Sequence, residues 1–320
     1  MSTTATPRNE EDELAAAIAA SLADQGAGGG VDERDDIKRA IAASTTPVDL
    51  NALTAAEQDQ LTVAQMNNIL SDIQTTPMVG DRVGVLSALR AEYARNPMVG
   101  FARGIEALDA RYASLRRVRK DGNCFYRGFL YRYLEHLCGA EADARAASAS
   151  PCAELVRIKA LVAASKAKIL GVGYEESAID MFWEMFGEAL DDVGKLDWPA
   201  WHAKMNEEHG VSMHLVWFMR ILSATHMKMH ADRFAPFCMD ETGACDVSDF
   251  CAREVEPVNR ECEQVQIIAL TEMLDIPVAI EYLDGTSDAP SRLVFPDGSS
   301  PVVELLYRPG HYDVLYAPAN

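Results

Sequence analysis

Two kinds of hydrophobic spacing divide this chain, and together they limit the folds open to it. From about residue 54 to residue 230, apolar residues recur at three- and four-residue intervals, as in helices that bury one face. After about Gln264 the texture changes to short β-type runs: VQIIAL, IPVAIEYL, RLVFP, VVELLYR and HYDVLY. DGTSD and PDGSSP mark turns between some of them. Helices first and strands late predict an α+β domain whose C-terminal sheet is mainly antiparallel and packed with helices. The spacing predicts helices over roughly 54–75, 81–95, 98–113, 125–138, 152–170, 176–192 and 211–230.

The first 50 residues belong to neither pattern. They are rich in Ala, Gly and acidic residues and contain no aromatic residue, so they supply no core. GAGGG, residues 26–30, reads as a flexible linker. On either side of it lie two related segments, EEDELAAAIAASL at 10–22 and DERDDIKRAIAAS at 32–44. Leu14, Ala17, Ile18 and Ser21 of the first correspond to Ile37, Ala40, Ile41 and Ser44 of the second. Their spacing makes one apolar stripe on a helix, and the acidic cluster sits where the helix dipole favours it. We therefore expect a flexible acidic tail over 1–50 with helices at 10–23 and 32–45, and a folded domain over 54–318. Such Ala-rich helices could dock on their own domain or present the stripe to a partner.

Composition excludes several classes. A net charge of −20 disfavours nucleic-acid binding, since phosphate backbones call for basic patches. No run of about 18 apolar residues suggests a membrane span. The start, MSTTATPRNEEDE, resembles neither a signal peptide nor a transit peptide. Seven cysteines, an odd number without a CxxC pair, predict reduced thiols in the cytoplasm, with the nucleus a second compartment.

Two segments carry chemistry. In DGNCFYR, Asp121 to Arg127, Cys124 follows a Gly-Asn turn and opens a helix. A helix start lowers a thiol's pKa, and the turn's N–H groups can hold an oxyanion. On chemistry alone, a cysteine there is more often simply packed. In RPGHYDVLY, Arg308 to Tyr316, His311 and Asp313 are two apart on a strand, so both side chains leave one face. The carboxylate could orient the imidazole, or the pair could be a structural hydrogen bond.

Taken together, DGNCFYR, FCAREVEP at 250–257, VQIIALTEML at 265–274 and ELLYRPGHYDVLY at 304–316 resemble the otubain family of ovarian-tumour-type cysteine deubiquitinases, over about Leu61 to Tyr316. The resemblance implies a papain-like OTU domain that cleaves isopeptide bonds in polyubiquitin, favouring lysine-48-type chains. It implies Cys124 as nucleophile, His311 as base, Asp313 as its orienting group, and Asp121 in the loop that forms the oxyanion hole. No cofactor or metal is implied. Ubiquitin contacts are implied at Glu261 to Ile268 and Ser291 to Asp297, which include Glu261, Glu263, Gln264, Gln266 and Phe295. Gln264 and Gln266 stand where animal members carry histidines. The tail segments resemble ubiquitin-interacting motifs, with Leu14, Ala17, Ile18, Ser21, Ile37, Ala40, Ile41 and Ser44 as the contact residues. Partners implied are ubiquitin, polyubiquitin chains and ubiquitin-conjugating enzymes, with the chain itself a monomer. The competing function is a non-catalytic adaptor that binds ubiquitin and a conjugating enzyme and suppresses chain synthesis.

Other features carry less. His226 and His230 in HMKMH are spaced for zinc but read as an ordinary helix face. Cys238, Cys245, Cys251 and Cys262 do not match a zinc-finger spacing. HLVWFMRIL at 214–222 reads as a core helix. RRVRK at 116–120 is either a solvated strip or a contact for acidic residues of the substrate.

Overall fold

The computed structural model describes residues 71, 73–147, 151–238 and 246–318. The tail with its two expected helices, most of the helix expected at 54–75, and Cys245 lie outside these residues.

The described part is α+β. Strand β1 (Val79–Val83) leads into helices α1 (Val85–Tyr93) and α2 (Val99–Asp109), then strand β2 (Ser114–Val118). A helical block follows: α3 (Cys124–Ala146), α4 (Ala153–Gly171), α5 (Glu176–Asp192), α6 (Trp198–Asn206) and α7 (Val211–Met229). Short turns α8 (Ala231–Phe234) and α9 (Val247–Phe250) precede α10 (Gln264–Leu274), and four strands close the chain: β3 (Val278–Tyr282), β4 (Ser291–Phe295), β5 (Val303–Arg308) and β6 (His311–Tyr316).

All six strands form one sheet in the order β1-β2-β6-β5-β3-β4. Only β3 and β5 run parallel; the other neighbours are antiparallel. Strand β6 is buried along its whole length because helices cover both faces of the sheet. Leu306 and Leu315 pack with Val85, Leu89, Phe101 and Ile105 of α1 and α2. Leu305 and Val314 pack on the opposite side with Phe125 and Phe129 of α3. A Cβ at Gly128 would touch Val314 and Leu305 at ordinary contact distance, so α3 rides close over β6 and β5. That close crossing brings the start of α3 to the start of β6.

Three expectations fail here. VQIIAL is the body of helix α10, not a strand. Its β-branched residues mislead because the helix is buried on several sides and shows no stripe. The signal that decides is a capping box, in which Glu263 caps Gln266 and the Gln266 side chain accepts from the Glu263 N–H. Residues 81–83 belong to β1, not to a helix. RRV of the basic stretch lies in β2, so strands also occur early in the chain. The arginines of that stretch are committed within the fold. Arg116 donates to Gly80, Arg117 to the Ala88 carbonyl, and Arg119 to the carbonyls of Thr76 and Gln74 and to Glu208.

Among the described residues no helix is long and apolar enough to cross a membrane.

Candidate active site

Cys124 is the first residue of α3, and the turn before it depends on Gly122. That glycine has φ +75°, and a Cβ on it would lie 2.4 Å from the Asn259 backbone. Only glycine both adopts the turn and admits the neighbouring loop. The first four N–H groups of a helix have no intrahelical acceptor, so the sulfur sits beside free donors at the positive end of a 23-residue helix.

Asp121 ties this turn to the helix. One carboxylate oxygen accepts from the Asn123 N–H at 3.0 Å and from Arg127 at 2.8 Å; the other accepts from Arg127 at 2.7 Å. Arg127 is fully buried one turn into α3, so DGNCFYR closes on itself. Burial works against the Asp121 charge, but the Arg127 hydrogen bonds and charge, with the Asn123 N–H, hold the carboxyl below its ordinary range.

His311 and Asp313 share one face of β6. His311 Nε2 lies 2.9 Å from Asp313 Oδ1. An ionised carboxylate can only accept, so Nε2 carries the proton and Nδ1 presents a lone pair. Nδ1 is buried and makes no hydrogen bond among the described residues. Asp313 is saturated. Its Oδ1 also accepts from the Val118 N–H at 3.0 Å, and its Oδ2 accepts from Arg308 at 2.6 Å and Arg117 at 3.3 Å. Glu92 of α1 balances those two cations at 2.6 and 2.7 Å. Burial would raise the Asp313 pKa, yet the His311 bond and the two guanidinium groups hold it well below the usual carboxylate range.

Thiol and imidazole arrive at the same place. The Tyr312 backbone N–H acts on the Cys124 sulfur and favours its charged form, and the Tyr312 ring packs edge-on against Phe125 at 5.3 Å. The sulfur therefore lies beside the residue next to His311. No hydrogen bond joins sulfur to imidazole among the described residues.

The thiol's pKa runs against expectation. Burial pushes it up to about 11, the charges of Asp121 and Asp313 push the same way, and the N–H groups of Tyr312 and Phe125 offset only part of this. A helix start is too small a term to win in a site this dry with two carboxylates nearby. The resting sulfur is thus protonated, and attack requires a base. We expect the rate of Cys124 alkylation by iodoacetamide, followed on its own peptide by mass spectrometry, to rise about tenfold per pH unit from pH 6 to 9. A plateau beginning below pH 6 would instead report a preformed thiolate–imidazolium pair.

The remaining candidates separate. Glu261, Glu263 and Gln264 are exposed along the approach to α10. Gln266 is only 2% exposed and its side chain is spent in the capping box, so it is not a surface contact. Phe295 is a core residue; the exposed apolar side chain of that hairpin is Leu293, 42% accessible. Leu14, Ala17, Ile18, Ser21, Ile37, Ala40, Ile41 and Ser44 lie outside the described residues. His226 is bonded to Glu272 at 3.0 Å, and no cluster of three metal-ligating side chains occurs among the described residues.

Four arginines were not singled out from the sequence: Arg117, Arg127, Arg220 and Arg308. Arg220 had a legible signal, since a cation inside HLVWFMRIL must find buried acceptors. It finds them on the turn before Cys124, at Gly122 and Asn123.

A thiol at a helix start beside a histidine–aspartate pair on the adjoining strand is the arrangement of papain-like cysteine hydrolases. The comparisons with known proteins sharpen that class. Residues 71–317 match the family model described as Peptidase C65 Otubain, and residues 9–25 and 32–45 match that of the ubiquitin interaction motif. The chain is 34% identical to the ubiquitin thioesterase OTUB1 of Rattus norvegicus over 84% of its length and 94% of that protein. It is 33% identical to the ubiquitin thioesterase OTUB2 of Homo sapiens over 75% of its length and 95% of that protein. Among solved structures it resembles the complex of h/ceOTUB1 with ubiquitin aldehyde and UBC13~Ub, with a TM-score of 0.70 and 26% identity over 82% of this chain and 99% of that one. The chain belongs to the otubain family of peptidases.

Proposed function

We propose that this chain is a thiol-dependent deubiquitinating hydrolase in which Cys124 attacks the isopeptide carbonyl at the C-terminus of ubiquitin. One observation carries the assignment of roles: His311 is held with its proton on the Asp313 side, and its bare Nδ1 has no hydrogen-bond partner among the described residues. The imidazole takes the thiol proton as the C–S bond forms, then returns it to the departing lysine amine. Water, activated by the same nitrogen, releases ubiquitin from the thioester. The helix-start N–H groups stabilise the oxyanion in both halves. Asp121 shapes that turn through Arg127.

Lysine-48-type chains are the preferred substrate in this reading, and the two tail motifs add weak ubiquitin contacts whose combination raises affinity for longer chains. The six cysteines of the described residues are all free thiols, as suits a reducing compartment, the cytoplasm or nucleus.

A panel of ubiquitin dimers of every linkage tests this. The lysine-48 dimer should be cut fastest, and Ile18→Asp with Ile41→Asp should slow cleavage of long chains while sparing dimers. Equal rates on all linkages would remove the preference, and an unchanged rate on long chains would remove the tail's role.

A second reading draws on the solved complexes of OTUB1 with UBC13~Ub and UBCH5B~Ub, each 26% identical to this chain. The chain also binds ubiquitin-loaded conjugating enzymes and restrains chain synthesis. That activity should survive Cys124→Ala.

A further inference from the structure

Arg220 stands on α7, away from the thiol, yet its guanidinium is fully buried and reaches four acceptors on two separate loops. One terminal nitrogen donates to the Gly122 carbonyl at 2.9 Å, the Asn123 side-chain oxygen at 2.8 Å and the Arg260 carbonyl at 2.7 Å. The other donates to the Val255 carbonyl at 3.0 Å. Gly122 and Asn123 form the turn that delivers Cys124; Val255 and Arg260 bracket the loop that leads to α10. A second link lies beside it. The Asn123 side chain donates to the Asn259 side chain at 2.8 Å and accepts from the Asn259 N–H at 3.0 Å. Asn259 holds a left-handed conformation, φ 66°, to make that pair.

We propose that Arg220 is a positioning residue for the hydrolysis assigned above. It pins the Gly122 carbonyl and the Asn123 side chain inward, so that the turn is held in place and the Cys124 N–H at the helix start faces the developing oxyanion. A peptide unit points its N–H opposite to its C=O. Fixing the Gly122 oxygen therefore fixes the Asn123 N–H of the same unit on the Asp121 carboxylate, and so holds closed the turn that leads into Cys124. Because the same nitrogen holds Arg260, the turn and the 255–260 loop move as one body.

The role differs from thiol activation. The charged groups acting on the sulfur are Asp121 and Asp313, and lysine in place of Arg220 keeps the buried charge while reaching fewer of the four acceptors. This separates two measurements. Hydrolysis of a ubiquitin C-terminal amide passes through an oxyanion; alkylation of Cys124 by iodoacetamide does not. In the full-length chain, Arg220→Lys should lower kcat at least tenfold, with KM changed less than about threefold and the alkylation rate of Cys124 within about twofold of wild type. Asn259→Gly keeps the left-handed backbone and its N–H bond to Asn123, removes only the bond to the Asn259 side chain, and should lower kcat in the same direction by less. It also stands in if Arg220→Lys does not fold, as judged by its thermal transition. Wild-type kcat in both cases would overturn the proposal, and so would a fall in alkylation that parallels kcat, since the residue would then act on the thiol. The reading of the site is tested separately by the wild-type chain: without turnover there, both fall.

Discussion

Cys124→Ala should lower cleavage of ubiquitin dimers by at least about ten-thousand-fold, to the level left by binding and oxyanion contacts alone. The reason is chemical and local. Among the described residues no other thiol lies at a helix start beside a histidine with a bare nitrogen, and Cys262 is buried with its sulfur donating to the Glu263 carbonyl. The change deletes one buried sulfur and should cost about 1 kcal/mol or less, a shift of a few degrees in unfolding temperature. Rates from the purified variant and its thermal transition, read together, check this. Residual cleavage above about 1% would mean that another group supplies the nucleophile. Binding of ubiquitin chains should persist, since no proposed contact uses the sulfur.

The second large effect is expected at Asp313. Asparagine there presents an N–H₂ that can donate to His311 Nε2, which would move the ring proton to Nδ1 and remove the lone pair that the thiol needs. A loss of about a thousand- to ten-thousand-fold in kcat follows by analogy with triads whose acid is made neutral. Stability should fall as well, by up to about 3–5 kcal/mol, because Arg308 and Arg117 lose the buried carboxylate between them and keep only Glu92 as counter-charge. The pH dependence distinguishes this from general damage. The Asp313 pKa is depressed in the fold, so its contribution is fully present above the unfolded value of about 3.9 and is lost as pH falls below it toward the folded value. The stability gap between wild type and Asp313→Asn, measured by urea unfolding, should thus be constant from pH 7 to 5 and narrow below about pH 4. A gap that stays constant to pH 2 would show that the carboxylate charge is not what the fold uses.

Much of the site was legible because its parts are local in sequence. The pairing of His311 with Asp313 follows from strand alternation alone, and the helix start at Cys124 follows from the Gly-Asn turn. What was not legible depends on groups brought from elsewhere. The raised thiol pKa arises from burial under β6 and from Asp313, 189 residues away (313 − 124), neither of which leaves a trace in DGNCFYR. Nothing in the sequence ties Arg117 or Arg308 to Asp313; the sheet places the carboxylate between them. In the fold, the helices at 176–192 and 211–229 match their spacing because each buries one long side. Helix α10 was misread because it is enclosed, and an enclosed helix of Val, Ile and Leu has the composition of a strand. Strands β1 and β2 were missed because arginines, aimed at acceptors within the domain, interrupt their apolar residues.

The most direct measurement is covalent trapping. Full-length protein is mixed with ubiquitin carrying a C-terminal vinyl sulfone, and the adduct is digested and mapped by mass spectrometry. One ubiquitin per chain, joined to the peptide that begins the helix at Cys124 and absent from Cys124→Ala, is the expected result. Attachment at another cysteine, or no attachment by a folded chain whose thiols titrate as free, would contradict the account.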